Sequence, residues 1–119
     1  MEIRREIVVD APPDEVWEAL TDPAELGEWF ANEVELDLQP GGEGLFRWGD
    51  GSQRRAVVEE VDPERLFSFW WWREEAEASR VAISLDPVEA GTRVVVTETG
   101  PAEWASAVEL RFAGARAYA

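Results

Sequence analysis

Carboxylates and arginines are the only charged side chains with which this chain could carry out acid–base chemistry. The 119 residues include no histidine, no cysteine and no lysine. Their absence excludes disulfides, thiolate nucleophiles, Ser-His-Asp triads, imidazole metal sites and Schiff-base chemistry. The aspartates and glutamates are then the main candidates for a catalytic acid or base.

Glu98 is the carboxylate whose position in the sequence best predicts that it faces the protein interior. In "TRVVVTETG" the residues alternate as in a β-strand, and Glu98 falls on the parity of Val94 and Val96. An inward carboxylate would anchor a hydroxyl or an amine of a ligand, or serve as the acid or base of an enzyme. The alternative is a glutamate at a strand end that reaches solvent. The adjacent pairs Glu59-Glu60 and Glu74-Glu75 do not form a convincing acid–base dyad, because strand neighbours point to opposite faces.

The other polar motifs predict no cofactor and no metal. The sequence has no calcium-loop motif, and its glycines at 41, 42 and 44 follow Pro40 as in a turn rather than a phosphate loop. Arg47 and Arg54 are expected to point outward and to form surface salt bridges. No residue is therefore predicted to be catalytic, with Glu98 as the candidate if the protein is an enzyme.

Composition narrows the class of protein and the kind of partner. Hydrophobic residues make up 45% of the chain, which is typical of a globular domain, and we expect one domain over residues 1–119. The formal net charge of −15 argues against nucleic acid as a partner, because phosphates would be repelled. No apolar run is long enough to cross a membrane, and the amino-terminal residues do not resemble a signal peptide. We expect no membrane insertion and a cytoplasmic location.

The order of periodic segments predicts an α+β fold. The segment "EIRREIVVD" reads as a strand, and "APPDEVWEALTD" and "PAELGEWF" read as two short helices separated at Pro23. Strands then follow at "VELDL", "LFRW", "RRAVVEEV", "LFSFWWW", "RVAISLD" and "TRVVVTETG", with "PVEAG" as a turn before the last one. The alanine-rich residues 101–119 predict one long helix. Short connections predict an antiparallel sheet of six or seven strands that curls around this helix and leaves a cavity.

The chain resembles the SRPBCC superfamily of START-like, helix-grip domains, in the branch named after the activator of the heat-shock protein ninety ATPase. The segments "APPDEVWEALTDPAELGEWF", "PGGEGLFRW", "VEEVDPERLFSFWWW" and "GTRVVVTETG" carry the likeness, which covers nearly the whole chain. The matching residues of the first segment are Ala11, Pro12, Val16, Trp17, Leu20, Thr21, Asp22, Pro23, Leu26, Trp29 and Phe30. The resemblance implies a helix-grip fold with an apolar pocket beneath the last helix. It implies no particular chemistry, because the superfamily includes carriers, receptors, cyclases, hydratases and co-chaperones.

Three consecutive tryptophans in "LFSFWWW" raise the question of which side chains face the pocket. The parity that contains Phe67, Phe69 and Trp71 is wholly aromatic, so we place it inward, with Trp70 and Trp72 on the convex face. The opposite assignment stays open, because sequence alone does not fix the register. Simple core filling is the alternative to a ligand pocket for each of these rings.

Three functions compete at this point. The first is non-enzymatic binding of a small hydrophobic or aromatic molecule, with the predicted pocket lined by Phe46, Trp48, Phe69, Trp71, Ile83, Val96, Glu98, Trp104 and Val108. The second is an enzyme of the polyketide-cyclase or hydratase kind that uses Glu98. The third is a protein-interaction module, either co-chaperone-like or a homodimer, that binds through the convex-face residues Trp70 and Trp72 and through Trp29, which is expected at the surface.

Overall fold

Seven strands and two short helices make up most of the described chain. The computed structural model describes residues 2–74, 76–99, 104, 106–109 and 111–112. In chain order the elements are β1 (Glu2–Val9), α1 (Pro13–Thr21), α2 (Pro23–Trp29), β2 (Glu33–Leu36), β3 (Glu43–Arg47), β4 (Gln53–Asp62), β5 (Leu66–Trp72), β6 (Ser79–Val88) and β7 (Gly91–Thr99). This α+β order, with two helices between the first and second strands, confirms the prediction.

Prolines at their first positions fix where the two helices begin. Pro13 starts α1 and Pro23 starts α2, where a missing amide hydrogen costs no helical hydrogen bond. Asp22 lies between the helices and is extended, so the chain turns there. The inner face of α1 carries Val16, Ala19 and Leu20, all of which are buried. The helices therefore cover part of the sheet through an apolar face of helical spacing.

The strands form one curved antiparallel sheet in the order β1-β7-β6-β5-β4-β3-β2. Strands β2 to β6 are each paired with the next strand in sequence, whereas β1 pairs with β7 at the far edge. A bulge interrupts the β4–β5 pairing between Val58 and Glu60, which leaves Glu59 as the extra residue. The described sheet therefore has seven strands, where six or seven were predicted.

The predicted "PVEAG" turn is shorter than expected, because β6 continues through Pro87 to Val88. Leu85 donates its amide to the carbonyl of Arg65 on the β5 side at 2.8 Å. The nitrogen of Pro87 points to the same side, where the β5 pairing has already ended, so its missing hydrogen costs no sheet bond. Gly91 then closes the turn at a φ of 135°, and a Cβ atom there would collide with the carbonyl of Val9.

The concave face of the sheet carries the core. Trp104, Val108 and Phe112 are buried against it at intervals of four residues, as on one face of a helix, and residues 104, 106–109 and 111–112 have helical backbone. Of the predicted helix 101–119, the remaining residues, including Ala115 and Ala119 of the predicted stripe, lie outside the described residues.

None of the helices in the described part of the chain has the length and hydrophobicity needed to cross a membrane.

Candidate functional site

The tryptophan run of β5 is divided between the two faces of the sheet. Phe67, Phe69 and Trp71 are buried on the concave face, each about 1% exposed, whereas Trp70 is 40% exposed on the convex face. Trp72 shares the convex parity and is half-buried. The predicted orientation of this strand is therefore confirmed.

Six rings pack together where β3 and β5 meet the end of α2 and the helical residue Trp104. This aromatic cluster consists of Phe30, Phe46, Trp48, Phe69, Trp71 and Trp104. The ring of Phe30 stacks on Trp104 with centroids 4.1 Å apart and lies 5.6 Å from Trp48 and 5.9 Å from Trp71. Ring contacts of this kind stabilise a core beyond simple burial.

Phe30 is a site residue that the sequence did not reveal. It follows the last residue of α2, and its ring contacts Phe46 and Trp71 on the concave face. Two indole groups hold this arrangement by hydrogen bonds: Trp48 donates to the carbonyl of Phe30 at 3.0 Å, and Trp29 donates to the carbonyl of Ala19 at 2.9 Å. The apolar spacing of "PAELGEWF" indicated a buried face but not which ring would reach the sheet.

An open cavity of about 350 Å³ lies at one end of the aromatic cluster. We call it the mouth cavity, and its lining residues are Phe30, Trp48, Asp50, Ser52, Arg54, Trp71, Arg73 and Ala107. Ala107 comes from the helical segment, Trp71 from the sheet and Asp50 from the turn between β3 and β4. The cavity therefore lies between helix and sheet, where the sequence predicted a pocket.

Arg54 faces the mouth cavity, contrary to the prediction that it points outward. Its guanidinium carbon lies 4.2 Å from the centroid of the Trp71 ring, which is a cation–π contact. Arg54 has the parity of the buried residues Ala56 and Val58, and this shared parity was the signal available in the sequence. Arg47 does point outward, as expected, and pairs with Glu33 at 3.4 Å.

The turn that carries Asp50 is held by its own hydrogen bonds. Ser52 donates both its hydroxyl, at 2.6 Å, and its amide, at 2.9 Å, to Oδ1 of Asp50. The hydroxyl bond first and the amide bond second lower the pKa of Asp50 below its usual value. Asp50 therefore lies in the wall of the mouth cavity, and its carboxylate accepts hydrogen bonds from within its own turn.

Glu98 is buried, with 1% of its surface exposed, on the inner parity of β7. This burial excludes the alternative in which it reaches solvent. It has an interaction partner within the protein, as a buried carboxylate requires. The burial makes Glu98 a structural or binding group of the core rather than a surface charge.

The predicted pocket residues share one side of the sheet but differ in their access to the mouth cavity. Trp48 and Trp71 line it. The other seven predicted residues do not line it and are buried in the core: Phe46, Phe69, Ile83, Val96, Glu98, Trp104 and Val108. The indole N–H of Trp104 is buried and has no hydrogen-bond partner among the described residues, an arrangement that costs free energy unless an acceptor is supplied.

The convex face carries a polar network around the bulge at Glu59. Arg80 donates to Glu59 at 2.7 and 2.9 Å, Ser68 at 2.9 Å and Trp70 at 3.2 Å. The hydrogen bonds from Arg80, and then that from Ser68, lower the pKa of Glu59 to about 2. This network supplies the hydrogen-bond partner of Ser68, which is buried on an otherwise apolar strand.

A second cavity, of about 330 Å³, lies beside α1, between Val9, Val16 and Phe112. Near it, carboxylate oxygens of Glu18, Asp22 and Glu25 approach within 4.8 Å of one another. Burial, and then the neighbouring charge of Glu18, raise the pKa of Glu25. Solvent-exposed acidic groups commonly meet in this way, so we assign no metal to them.

Comparison with known proteins places the chain in a family. Residues 10–116 match the family described as "Activator of Hsp90 ATPase homolog 1-like protein". CalU16 from Micromonospora echinospora is 30% identical, with a TM-score of 0.70, and the match covers 95% of this chain and 72% of CalU16. No curated protein sequence matched the chain significantly.

Two further solved structures share the fold. DynU16, a protein of the dynemicin biosynthetic locus, is 27% identical with a TM-score of 0.79, and the match covers 95% of this chain but only 44% of DynU16. The Aha1 dimer from Colwellia psychrerythraea is 20% identical with a TM-score of 0.79, covering 94% of this chain and 93% of that one. The predicted resemblance is confirmed: the chain belongs to the Activator of Hsp90 ATPase homolog 1-like family, within the helix-grip superfamily.

Proposed function

We propose that this protein binds a small apolar or aromatic molecule, without chemistry, in the mouth cavity and against the aromatic cluster behind it. The observation that carries the proposal is the cavity itself, with Phe30, Trp48 and Trp71 in its wall. Its volume of about 350 Å³ falls within the range of small-molecule sites. The wall is mixed: three aromatic rings and Ala107 lie beside four polar or charged residues, Asp50, Ser52, Arg54 and Arg73.

Burial of the ligand would supply most of the affinity. Each Å² of apolar surface removed from water contributes about 25 cal/mol, and flat rings on the ligand could stack on the indoles of Trp48 and Trp71. Deeper in the core, Glu98 is proposed to orient a hydroxyl or an amine. The N–H of Trp104, which stacks directly behind Phe30, is proposed to donate to an acceptor atom of a ligand that displaces Phe30.

An environment-sensitive apolar dye tests this proposal on the intact protein. We expect saturable binding that changes tryptophan emission. Ala107→Phe should abolish it, because Ala107 lines the mouth cavity and a phenyl ring would occupy that space. Ser106→Phe is the matched control: the same ring is added one residue earlier, at an exposed position of the same helical segment, and binding should be unchanged.

The comparison of the two variants decides the outcome. If the wild-type protein takes up no apolar dye, the binding proposal fails. If Ala107→Phe and Ser106→Phe bind the dye as the wild type does, a site exists elsewhere and the mouth cavity is not the site.

We also propose that two copies of the chain associate through the convex face. Val57 and Trp70 are direct partners across β4 and β5, and both are exposed. Exposed tryptophans are frequent interface anchors, and the similar Colwellia structure is a dimer. Trp70→Glu should convert a dimer to a monomer in sedimentation velocity. A wild-type protein that is monomeric at all concentrations would refute this assembly.

A further inference from the structure

We propose that two copies of the chain pack back to back about a two-fold axis that runs parallel to the strands, between β4 and β5. This inference rests on the assembly proposed above and adds the arrangement of the two copies. In this arrangement Val57 of one copy faces Trp70 of the other, and Arg55 faces Trp72 of the other copy.

One row of side chains on the convex face is complementary to itself. Direct cross-strand partners on β3, β4, β5 and β6 place four residues side by side: Glu43, Val57, Trp70 and Arg80. The row has an acid at one end, a base at the other and two exposed apolar side chains between them. A rotation of 180° about the proposed axis lays the row over its own reverse. Each glutamate then faces an arginine, and each valine faces a tryptophan.

The next row on the same face fits the same axis. Leu45, Arg55 and Trp72 are direct partners across β3, β4 and β5. The rotation brings the indole of Trp72 over Arg55 of the other copy, where a guanidinium and an aromatic ring attract each other. A cavity of about 250 Å³ lies beside Leu45, Arg55 and Trp72. The indole from the other copy would enter this cavity, so the contact combines packing with a cation–π interaction.

The charged groups that the arrangement uses are able to accept a new partner. Glu43 and Arg55 are exposed, and no side-chain hydrogen bond or ion pair joins either of them to another residue in the described part of the chain. Arg80 already binds Glu59, but those contacts run from its Nε and Nη2 atoms. A guanidinium has five N–H donors, so the Nη1 group of Arg80 can also donate to a carboxylate of the other copy.

An axis that crosses the strands would match these charges poorly. Every residue would then lie over its own strand of the other copy, so that Glu43 would face either Glu43 or Leu45. Like charges in contact cost several kcal/mol, and a charge buried against an apolar side chain loses its hydration without gaining a partner. The sheet is curved and β5 is the middle strand of the seven, so two convex faces meet around the central strands, where the proposed axis lies.

Distances between spin labels test the direction of the axis, and the natural chain has no cysteine to interfere with labelling. Asp37 and Thr99 are exposed and lie at opposite ends of the first row, next to Glu43 and Arg80. Copies labelled at Asp37→Cys are mixed with copies that carry a different spin label at Thr99→Cys. With strands about 4.8 Å and sheets about 10 Å apart, a flat sheet would place position 37 about 10 Å from position 99 of the other copy and about 26 Å from the other position 37. An axis across the strands reverses this order, and curvature lengthens both distances.

Charge substitutions test the pairing through the dimer dissociation constant, measured by sedimentation velocity. Glu43→Gln should weaken the dimer by about threefold to tenfold, because it removes the carboxylate that faces Arg80 of the other copy. Arg55→Gln should weaken it by a similar factor through loss of the contact with Trp72. Glu89→Gln is the control: it removes the same charge in the exposed turn between β6 and β7, and it reports the effect of net charge alone.

The outcomes separate the arrangement from the assembly. A wild-type protein that is monomeric at all concentrations overturns both, while ligand binding in the mouth cavity is unaffected. If the dimer forms but the two 37 positions lie closer together than positions 37 and 99, the axis is wrong although the assembly stands. The pairing is likewise overturned if Glu43→Gln strengthens the dimer, or if its effect equals that of Glu89→Gln.

Discussion

The two faces of β5 show how one strand can accommodate three consecutive tryptophans. On the concave face Phe67, Phe69 and Trp71 are buried among other rings. On the convex face Ser68 is buried and donates a hydrogen bond to Glu59, and the exposed Trp70 donates its indole N–H to the same carboxylate. One face is therefore stabilised by packing and the other by a polar network.

This difference shows that residue type alone does not define a role. Trp70 and Trp71 are neighbours of identical chemistry, yet one contacts an exposed acid and the other contacts Arg54 and the aromatic cluster. The alternation of the strand separates them. The same alternation assigns the proposed binding role to the concave face and the proposed assembly role to the convex face.

The largest expected effect comes from truncating the buried tryptophan. Trp71→Ala should lower the free energy of unfolding by about 3–5 kcal/mol, because it deletes a fully buried aromatic side chain. Trp70→Ala should cost less than about 1 kcal/mol, since Trp70 is substantially exposed. Urea unfolding of both variants measures the contrast, and equal losses would show that the two faces are not distinguished as described.

A smaller contrast is expected when volume is added to β7. Val96→Phe should cost about 1–3 kcal/mol by overpacking the buried face, and it should weaken binding of an apolar dye. Val95→Phe adds the same ring to the opposite, partly exposed face, and should be nearly neutral. Thermal denaturation and dye titration report the two effects. An unchanged Val96→Phe protein would mean that empty space lies next to Val96.

Acidification should affect the convex network. The pKa of Glu59 is about 2 in the folded chain, below the ordinary 4.5, so its stabilising effect is full above pH 4.5 and is lost as the pH falls toward 2. At neutral pH Glu59→Gln should cost at most about 1 kcal/mol, because the group is partly exposed. The difference from wild type should disappear in acid.

Urea unfolding at several pH values measures whether wild type and Glu59→Gln become equally stable in acid. Glu60→Gln removes the same charge from the next, exposed residue and serves as the control. A difference between wild type and Glu59→Gln that persists unchanged at low pH would show that the ionised form of Glu59 is not what stabilises the fold.

The last contrast concerns Glu98, which is buried and has an interaction partner. Glu98→Gln preserves the shape of the side chain, so dye binding should be nearly unchanged, whereas stability should fall because the interaction of a buried polar group is altered; affinity for ligands that carry a hydroxyl or an amine should also fall. This variant also separates a carrier from an enzyme. A carrier would lose only affinity, whereas an enzyme would retain substrate binding and lose turnover.

Much of the fold could be predicted because it is encoded locally. Alternation predicted the seven strands and the inward set of β5, and the prolines at 13 and 23 predicted where both helices begin. The end of β6 was missed, because a proline is tolerated in a strand when its nitrogen faces an open edge. Whether Pro87 lay at such an edge depended on where β5 ended.

The candidate site was less predictable because it depends on tertiary packing. β4 has arginine on both parities, at Arg54 and Arg55, and the bulge at Glu59 breaks its alternation, so the parity that Arg54 shares with Ala56 and Val58 was only a weak signal of its inward position. Phe30 reached the aromatic cluster only through the packing of α2 on the sheet. The ligand-binding role of the predicted pocket residues remains a prediction.

The indole N–H signals of the seven tryptophans provide the most direct test of whether the mouth cavity binds an aromatic ligand. Two-dimensional ¹H–¹⁵N spectra would be recorded while naphthamide, an uncharged aromatic ligand, is added. The account predicts the largest shifts at Trp48 and Trp71, which line the mouth cavity, and none at Trp70 on the convex face. Unchanged signals for Trp48 and Trp71, or the largest shift at Trp70, would contradict it.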